Sequence, residues 1–515
     1  MKKKYVRWTL WTIASPFILF IILCILIYLP PIQNFLVDKA AVYASEATGM
    51  NISVGRISLS FPLNLVVTNV DAASPHNDTL LSVRRLQVNV QLLPLLKKQV
   101  EVDGISLQGA TVNSNDLIHG MKLNGTLGEL FISSHGVALD PETAIVNKVL
   151  LKDTDLSLCL NDTAAADTAA SDTTYWKIIL QDIDLQNVSF ALDMPLDSLS
   201  LAASLDNAIL RDGLIDLHKS AYSLQTFRIE NGRVRYDNGK PLAADSLSSG
   251  LDPSHIALTD IGVKLDSLYY GGRNMKAIIS QFVLKERSGV EIVSATGRMV
   301  SNDKVLRVPS LKLETRDSYL ELNAAMDWNA LDFKGEGLMS ARLMADIGKP
   351  DVVRFMGRMD EKFVRQYPSE PLRIRTGIDG DLNKLKLTTL TAELPGALGL
   401  FARGELTHLT DSLLRGGDIT LEAETKDLKF VSTLAEGIEI PYGTRLEGKF
   451  TMAGTKMGTD LLLMQPEAQA VVAADTIPIT VYNDSISVAD DFKMERAARL
   501  FAKYDLSRDR YEADL

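Results

Sequence analysis

The 515-residue chain is poor in the residue types that most protein chemistry relies on. It has two cysteines, Cys24 and Cys159, and the first lies in the most apolar stretch of the chain, so no intramolecular disulfide framework can be written. Its six histidines are His76, His119, His135, His218, His255 and His408, and the nearest two are 16 positions apart. No pair has metal-ligand spacing on one helix face, and two cysteines cannot build a zinc knuckle. Aromatic residues make up 7% of the chain, and the four tryptophans, Trp8, Trp11, Trp176 and Trp328, are too scattered to line a glycan-binding face. Basic charge is also in deficit. A net charge of −11 and a pI of 5.2 exclude a nucleic-acid partner, which requires a basic stripe, and fit a solvated outer surface.

Two segments imitate ligand-binding motifs and fail at a decisive position. Gly443-Thr444-Arg445-Leu446-Glu447-Gly448-Lys449-Phe450 follows a phosphate-binding loop until Phe450 stands where the magnesium-binding Ser or Thr must be. Asp379, Asp381 and Asn383 imitate a calcium loop, but Lys384 occupies the place of the required glycine. Both read as turns. The expectation is a protein with no catalytic residues, no cofactor and no metal.

What the chain has in abundance is apolar and polar residues in alternation. From Ile52 to Val112, apolar residues stand two apart at Ile57, Leu59 and Phe61, at Leu63, Leu65 and Val67, at Leu86, Val88, Val90 and Leu92, and at Ile105 and Leu107. Polar residues such as Ser58, Asn64, Gln87, Asn89 and Ser106 fill the gaps. Successive strand side chains point to opposite faces, so each run gives one oily and one polar face. The pattern returns in Leu130 and Ile132, Leu156 to Leu160, Ile183 and Leu185, Val188 to Leu192, Phe227 and Ile229, and Val234 and Tyr236. It goes on through Val263 and Leu265, Phe282 and Leu284, Leu311 and Leu313, Leu320 to Met326, Leu385 and Leu387, Leu398 to Ala402, and Leu421 and Ala423. Turn signals punctuate the runs at Val102-Asp103-Gly104, Arg211-Asp212-Gly213, Glu230-Asn231-Gly232, Asp237-Asn238-Gly239 and Arg415-Gly416-Gly417-Asp418. Together they predict a long antiparallel meander of about 25 to 30 strands at ~4.8 Å spacing.

The amino terminus differs. Met1 to Arg7 carries Lys2, Lys3, Lys4 and Arg7, and the 22 residues from Trp8 to Leu29 carry no charge. A helix needs roughly 20 apolar residues to span the hydrocarbon core. The expectation is a cytoplasmic basic head over 1–7 and a transmembrane anchor over 8–29. A cleaved signal peptide fits less well, because the nearest small-residue site, Val42-Tyr43-Ala44, lies far beyond Leu29. Pro30-Pro31 then starts an amphipathic helix over 30–49, with Ile32, Phe35, Leu36, Ala40, Tyr43 and Ala47 on one stripe and Gly49 as its stop.

Three stretches interrupt the alternation. Asn161 to Thr174 is small, acidic and of low complexity, a surface loop by composition. Asp351 to Tyr367 has helical spacing between Pro350 and Pro368, which predicts one inserted helix that caps the groove or divides two sheet segments. Asp491 to Tyr504 also reads as helix, with Phe492, Met494, Ala498, Leu500 and Phe501, and a further strand begins at Tyr511, as in a fragment of a longer protein. The fold class is therefore mainly β: a single N-terminal transmembrane helix, a short amphipathic helix, and a long, twisted antiparallel β-sheet groove with a few helical insertions. The groove runs over 50–349 and 369–489, with the helix at 350–368 between its parts and a helix and strand start over 490–515.

Alternation alone does not separate a closed sandwich from an open groove. The anchor at one end, the sustained length and the aliphatic inward positions favour the groove. Moving an acyl chain through water costs about 0.8 kcal/mol per methylene, so a sixteen-carbon tail faces roughly 12 kcal/mol, which an aliphatic trough lowers without any catalytic group. Leu86, Val88, Val90, Ile105, Leu107, Leu311, Leu313, Leu320 and Leu322 are the residues expected to line it.

The basic head and single span, the helix from Ile32 to Thr48 and the block Met50-Asn51-Ile52-Ser53-Val54-Gly55-Arg56-Ile57-Ser58-Leu59-Ser60 resemble the amino-terminal part of the AsmA-like superfamily, and most of all its TamB branch. The resemblance continues in Leu80-Leu81-Ser82-Val83-Arg84-Arg85-Leu86-Gln87-Val88 and in the segment from Val102 to Val112, and is looser from there to about residue 490. It implies an inner-membrane protein, single-pass with its amino terminus cytoplasmic, that projects a groove-shaped β-sheet into the periplasm. The implied work is phospholipid transfer between inner and outer membranes in support of outer-membrane biogenesis, with phospholipid acyl chains and the inner membrane as partners. TamB-like members are also described as a translocation and assembly module, which inserts or secretes outer-membrane proteins with an outer-membrane β-barrel partner of the assembly family. That is the alternative on the same fold; an envelope-glycan enzyme or adhesin is a remote one. The chain lacks the long remainder and carboxy-terminal domain of that branch, and the family offers no catalytic motif to carry over.

Overall fold

The computed structural model describes residues 51–514 together with 39, 41, 42, 45, 46 and 48–50, except for 61–63, 75–77, 91–101, 115–119, 139–141, 162–174, 240–249, 333–335, 357–360, 435–441, 466–468, 475–476, 482–495 and 506–509. The expected head, the membrane span over 8–29, most of the amphipathic helix and nearly all of the low-complexity loop lie outside the described residues. Positions 39, 41, 42, 45, 46 and 48 are helical, and Gly49 ends the turn in the left-handed region at φ +70° with its N–H donating to the Ser45 carbonyl at 2.9 Å. Among the described residues no helix is long and apolar enough to cross a membrane.

The protein is mainly β, in two compact units. The first unit comprises Met1–Pro241 and Ser254–Ser267, the second Leu242–Pro253 and Leu268–Leu515. Strands of the first are β1 (Asn51–Ser60), β2 (Asn64–Ala73), β3 (Thr79–Val90), β4 (Val102–Asn113), β5 (Met121–Ala138), β6 (Thr143–Leu160), β7 (Lys177–Met194), β8 (Leu199–Asp216), β9 (Ala221–Leu224), β10 (Thr226–Asp237) and, as far as Ser267, β11 (His255–Gly271). Each of β1 to β8 pairs with the next, β10 lies between β8 and β11, and short β9 hairpins onto the end of β8.

The second unit runs through β12 (Asn274–Glu286), β13 (Glu291–Ser301), β14 (Val305–Thr315), β15 (Tyr319–Asp327), β16 (Met339–Ile347), β17 (Leu372–Asp381), β18 (Lys384–Leu394), β19 (Leu398–Thr407), β20 (Gly416–Thr425), β21 (Arg445–Ala453) and β22 (Lys456–Gln465), each paired with the next. β23 (Gln469–Ala474) and β24 (Ile477–Val481) form a separate hairpin, and β25 (Arg496–Asp505) and β26 (Arg510–Asp514) continue the sheet from β22.

Several expectations need correction. The meander is not wholly antiparallel, because β6 and β7 run parallel, from Thr143 beside Lys177 to Cys159 beside Asp193. Parallel neighbours need a crossover of a dozen or more residues, and the low-complexity segment supplies the link in place of a hairpin turn. The helix expected over 491–504 is strand where described: all ten residues of β25 pair with β22. Ala498, Leu500, Ala502 and Tyr504 also stand two apart, so this short apolar run fits either period, and pairing with an adjacent strand overrides the helix propensity of its Ala, Arg, Leu and Lys.

The inserted helix is described as two pieces, α1 (Lys349–Met356) and α2 (Glu361–Gln366). It divides no sheet, because β16 and β17 on either side of it pair with each other over nine residues. Nor is Val102-Asp103-Gly104 a turn, since β4 begins at Val102. Arg211-Asp212-Gly213 and Glu230-Asn231-Gly232 lie inside β8 and β10, where Asp212 and Asn231 take φ of 51° and 53°. A positive φ serves a hairpin turn and an irregular strand position equally well; Asn231 sits at a register shift between β10 and β11, and Asp212 at a position skipped in the pairing of β7 with β8.

Large buried side chains concentrate at one place in the second unit. Phe363 of α2 is 1% exposed and packs with Tyr367, Leu394, Ala397, Leu428 and Phe430. Ring centroids stand 5.5 Å apart for Phe363 and Tyr367 and 5.1 Å for Tyr367 and Phe430. Burial raises the Tyr367 phenol above its ordinary pKa. The helix pair is tethered by Asp351, 1% exposed, whose carboxylate accepts from Thr315 Oγ1, from Ser318 Oγ at 2.6 Å and from Arg354 Nη1 at 3.1 Å. Lys349 Nζ closes the far side on the Tyr367 carbonyl at 2.7 Å.

Candidate functional site

Directly opposed residues of neighbouring strands point to one face, so the pairing registers can be followed as rows. Two rows cross the first unit. One runs Leu59, Leu65, Val88, Ile105, Ile132, Val149, Ile183, Leu210, Phe227, Leu265; the other Ile57, Val67, Leu86, Leu107, Leu130, Leu151, Leu185, Ala208, Ile229, Val263. Every member is apolar. Because the two rows are two residues apart on each strand, they share one face.

Five residues expected from the sequence fall on this patch or beside it. Leu86 opposes Leu107, Val88 opposes Ile105, and Val90 opposes Val102 at the strand end. The other four sit together in the second unit, Leu311 opposite Leu322 and Leu313 opposite Leu320. Leu313 and Leu320 belong to a row that runs Ala295, Leu313, Leu320, Ala345, Ile374, Ala392, Leu400, Ala423, Leu446, Leu463, and Leu311 and Leu322 lie two positions away in the next row, between Gly297 and Leu343. The nine residues thus make two patches, one in each unit. Sequence reasoning missed how far each extends: β8, β16, β17, β21 and β22 contribute members from runs broken by Gly, Asp or Arg.

Most of these side chains are half-buried, the alanines Ala208, Ala295, Ala345 and Ala423 being buried, and among the described residues the strands of the first unit pack chiefly against their own sheet neighbours. Among the described residues, the hydrophobic residues buried in the first unit are Ala72, Leu80, Val83, Ala208 and Ala221, three of them alanines. Charge lies on the alternate positions. In the first unit Arg211 pairs with Asp182 and, at 2.8 Å, with Asp184, while its guanidinium also donates to the carbonyls of Ile183 and Leu210 at 3.0 and 3.1 Å. Arg375 repeats the arrangement in the second unit, with Asp346 at 2.6 Å and the carbonyls of Ala345 and Ile374 at 2.8 and 2.9 Å. Lys384 with Glu405 at 3.2 Å and Lys449 with Asp418 at 3.0 Å occupy alternate positions of β18 to β21. The arrangement can hold long aliphatic matter without a specific polar contact.

The calcium-loop imitation is the turn between β17 and β18, and the phosphate-loop imitation is a turn that leads into β21. Asp381 Oδ1 accepts the N–H groups of Asn383 at 2.9 Å and Lys384 at 2.7 Å, and Arg445 to Phe450 are strand. Among the described residues no three His, Cys, Asp or Glu side chains are grouped to hold a metal ion. No family model and no curated protein matches this chain.

Proposed function

We propose that the chain is an inner-membrane-anchored periplasmic protein that carries phospholipid acyl chains along the apolar face of its β-sheet groove. The observation that supports this most is the pair of ten-residue apolar rows in the first unit, whose members apart from Ala208 are half-buried and which, among the described residues, lie on strands that pack chiefly against their own sheet neighbours. An ordinary sandwich covers such a face with a second sheet about 10 Å away. A face left uncovered needs an apolar occupant, because contiguous exposed apolar surface beyond a few hundred Å² marks an interaction site. Acyl chains fit the aliphatic lining, and passage along it requires no catalytic group. The uncharged segment from Trp8 to Leu29 behind a basic head supports the anchor.

The test is lipid extraction and mass spectrometry on the purified full chain, with Leu86→Glu, Val88→Glu and Ile105→Glu combined in one variant. The parent chain is expected to carry phospholipid, and the variant to lose most of it while keeping its β circular-dichroism spectrum. Undiminished lipid on a folded variant would overturn the reading.

A further inference from the structure

A line of unusual backbone crosses the first unit. In each successive strand pair from β1 to β8, and in the pair of β8 with β10, the regular pairing skips a position on both strands, and these skipped positions line up: Gly55, Asn69, Arg84, Gly109, Gly128, Asp153, Asn187, Asp206, Asn231. Five of the nine take φ between 48° and 61°: Asn69, Gly109, Asp153, Asn187 and Asn231. Each antiparallel pair has one such residue, and the parallel pair, Asp153 beside Asn187, has two. Asn, Asp and Gly are the residues that enter this region at least cost. Polar side chains join along the line, Asn187 Nδ2 donating to Asp153 Oδ1 at 2.8 Å and Asn231 Nδ2 to Asp206. At Gly128 an added Cβ would lie 2.8 Å from the Asp153 Cβ, so the line admits no side chain there.

At this line the alternation changes step. On β7 the apolar residues are Ile183 and Leu185 before it, then Val188, Phe190 and Leu192 after it, an interval of three. β5 shows the same interval between Leu127 and Leu130 and β8 between Leu205 and Ala208, while on β6 Leu151 is followed by Leu156 and on β10 Ile229 by Val234, five positions on and the same change of step. Solvent exposure follows, for two consecutive residues are exposed at Gly55-Arg56, Arg84-Arg85, Lys152-Asp153 and Gln186-Asn187, where an unbroken strand would expose one. One residue of each strand drops out of the pairing while the register is kept on either side, and the exposure pattern puts consecutive side chains on one side there.

We infer that this row is a fold line that divides each strand into two arms and returns the apolar residues of both arms to the same face. The lipid-facing surface then has a second arm, which the sequence pattern alone assigns to separate strands. Opposed residues of that arm include Leu156, Phe190, Ala203, Val234 and Leu258. Four of them, Phe190, Ala203, Val234 and Leu258, border a hollow of about 430 Å³ that Arg233 and Arg235 also line. That the second arm meets acyl chains rests on the function proposed above; the fold line itself does not.

The experiment uses the full chain with Cys24 and Cys159 replaced by serine and single cysteines introduced as Leu185→Cys, Gln186→Cys, Val188→Cys or Ser189→Cys. Each is labelled with an environment-sensitive fluorophore and titrated with a short-chain phosphatidylcholine carrying a nitroxide on one acyl chain. Blue-shifted emission at 185 and 188 against red-shifted emission at 186 and 189 supports the fold line; grouping 185 with 189 overturns it. Quenching at both 185 and 188 supports the two-armed acyl surface. Unquenched labels in the 185 and 188 grouping overturn the acyl assignment and uphold the fold line. Asn187→Gly should preserve the grouping, and Asn187→Val, whose branched side chain resists positive φ, should erase it or lower the unfolding midpoint; an unchanged Asn187→Val protein would overturn the role given to this row.

Discussion

The two units solve the same problem differently. The second buries Phe363, Tyr367, Leu394 and Phe430 against its own helix pair, whereas the first spreads apolar residues over rows of strands and buries chiefly alanines. A sheet closed by its own side chains is complete by itself. In the first unit, among the described residues, the oily face is flanked chiefly by its own sheet neighbours, which leaves its apolar residues available for the role proposed above.

The sharpest way to break that contrast is to truncate one side chain on each side of it. Phe363→Ala should cost about 3–5 kcal/mol, the usual price of an aromatic cavity. Leu107→Ala, half-buried in an open row, should cost only about 1 kcal/mol. Urea unfolding of both variants measures the difference, and equal losses would mean that the first unit's face is covered after all. A smaller effect sharpens the same contrast among polar groups. Asp351→Ala removes a buried carboxylate that holds three donors and should cost about 1–3 kcal/mol. Asp206→Ala, on an exposed stretch of the fold line, should cost under about 1 kcal/mol. The smallest effect is one of pH. Because the Tyr367 phenol is raised in the folded protein, its stabilising share is complete below the ordinary phenol pKa of 10.0 and is lost as pH climbs through the raised value. Thermal unfolding followed into the alkaline range should show a steeper loss for the parent than for Tyr367→Phe.

Much of the architecture was legible in the residues. Period-two runs located β4 to β7, β10, β14, β15 and β18 to β20, and they picked out Leu86, Leu107, Leu311 and Leu322, which oppose each other as pairs. What was not legible has a common cause. Asn231-Gly232 was read as a hairpin turn between Phe227-Ile229 and Val234-Tyr236, although the two runs are one strand, because a left-handed residue has the same identity in a turn and in a bulge. β8 escaped notice because its apolar residues change step at Asp206, so neither half is long enough to stand out. The parallel pairing of β6 and β7 leaves no local trace at all, since a register is a relation between distant segments.

That parallel pair also sets an order of events for the folding chain. Hairpins such as β1 with β2, where Ser60 already opposes Asn64, can zip from their turns as soon as the residues exist. Across β6 and β7 every contact joins residues as far apart as Asn147 and Gln181, 34 positions, so no turn can seed it. Loop closure of that span comes before any contact repays it, and long-range pairing is slow for that reason. The joint between β6 and β7 is therefore a pairing that no hairpin turn can speed, and the strands on either side of it are held together by long-range contacts alone.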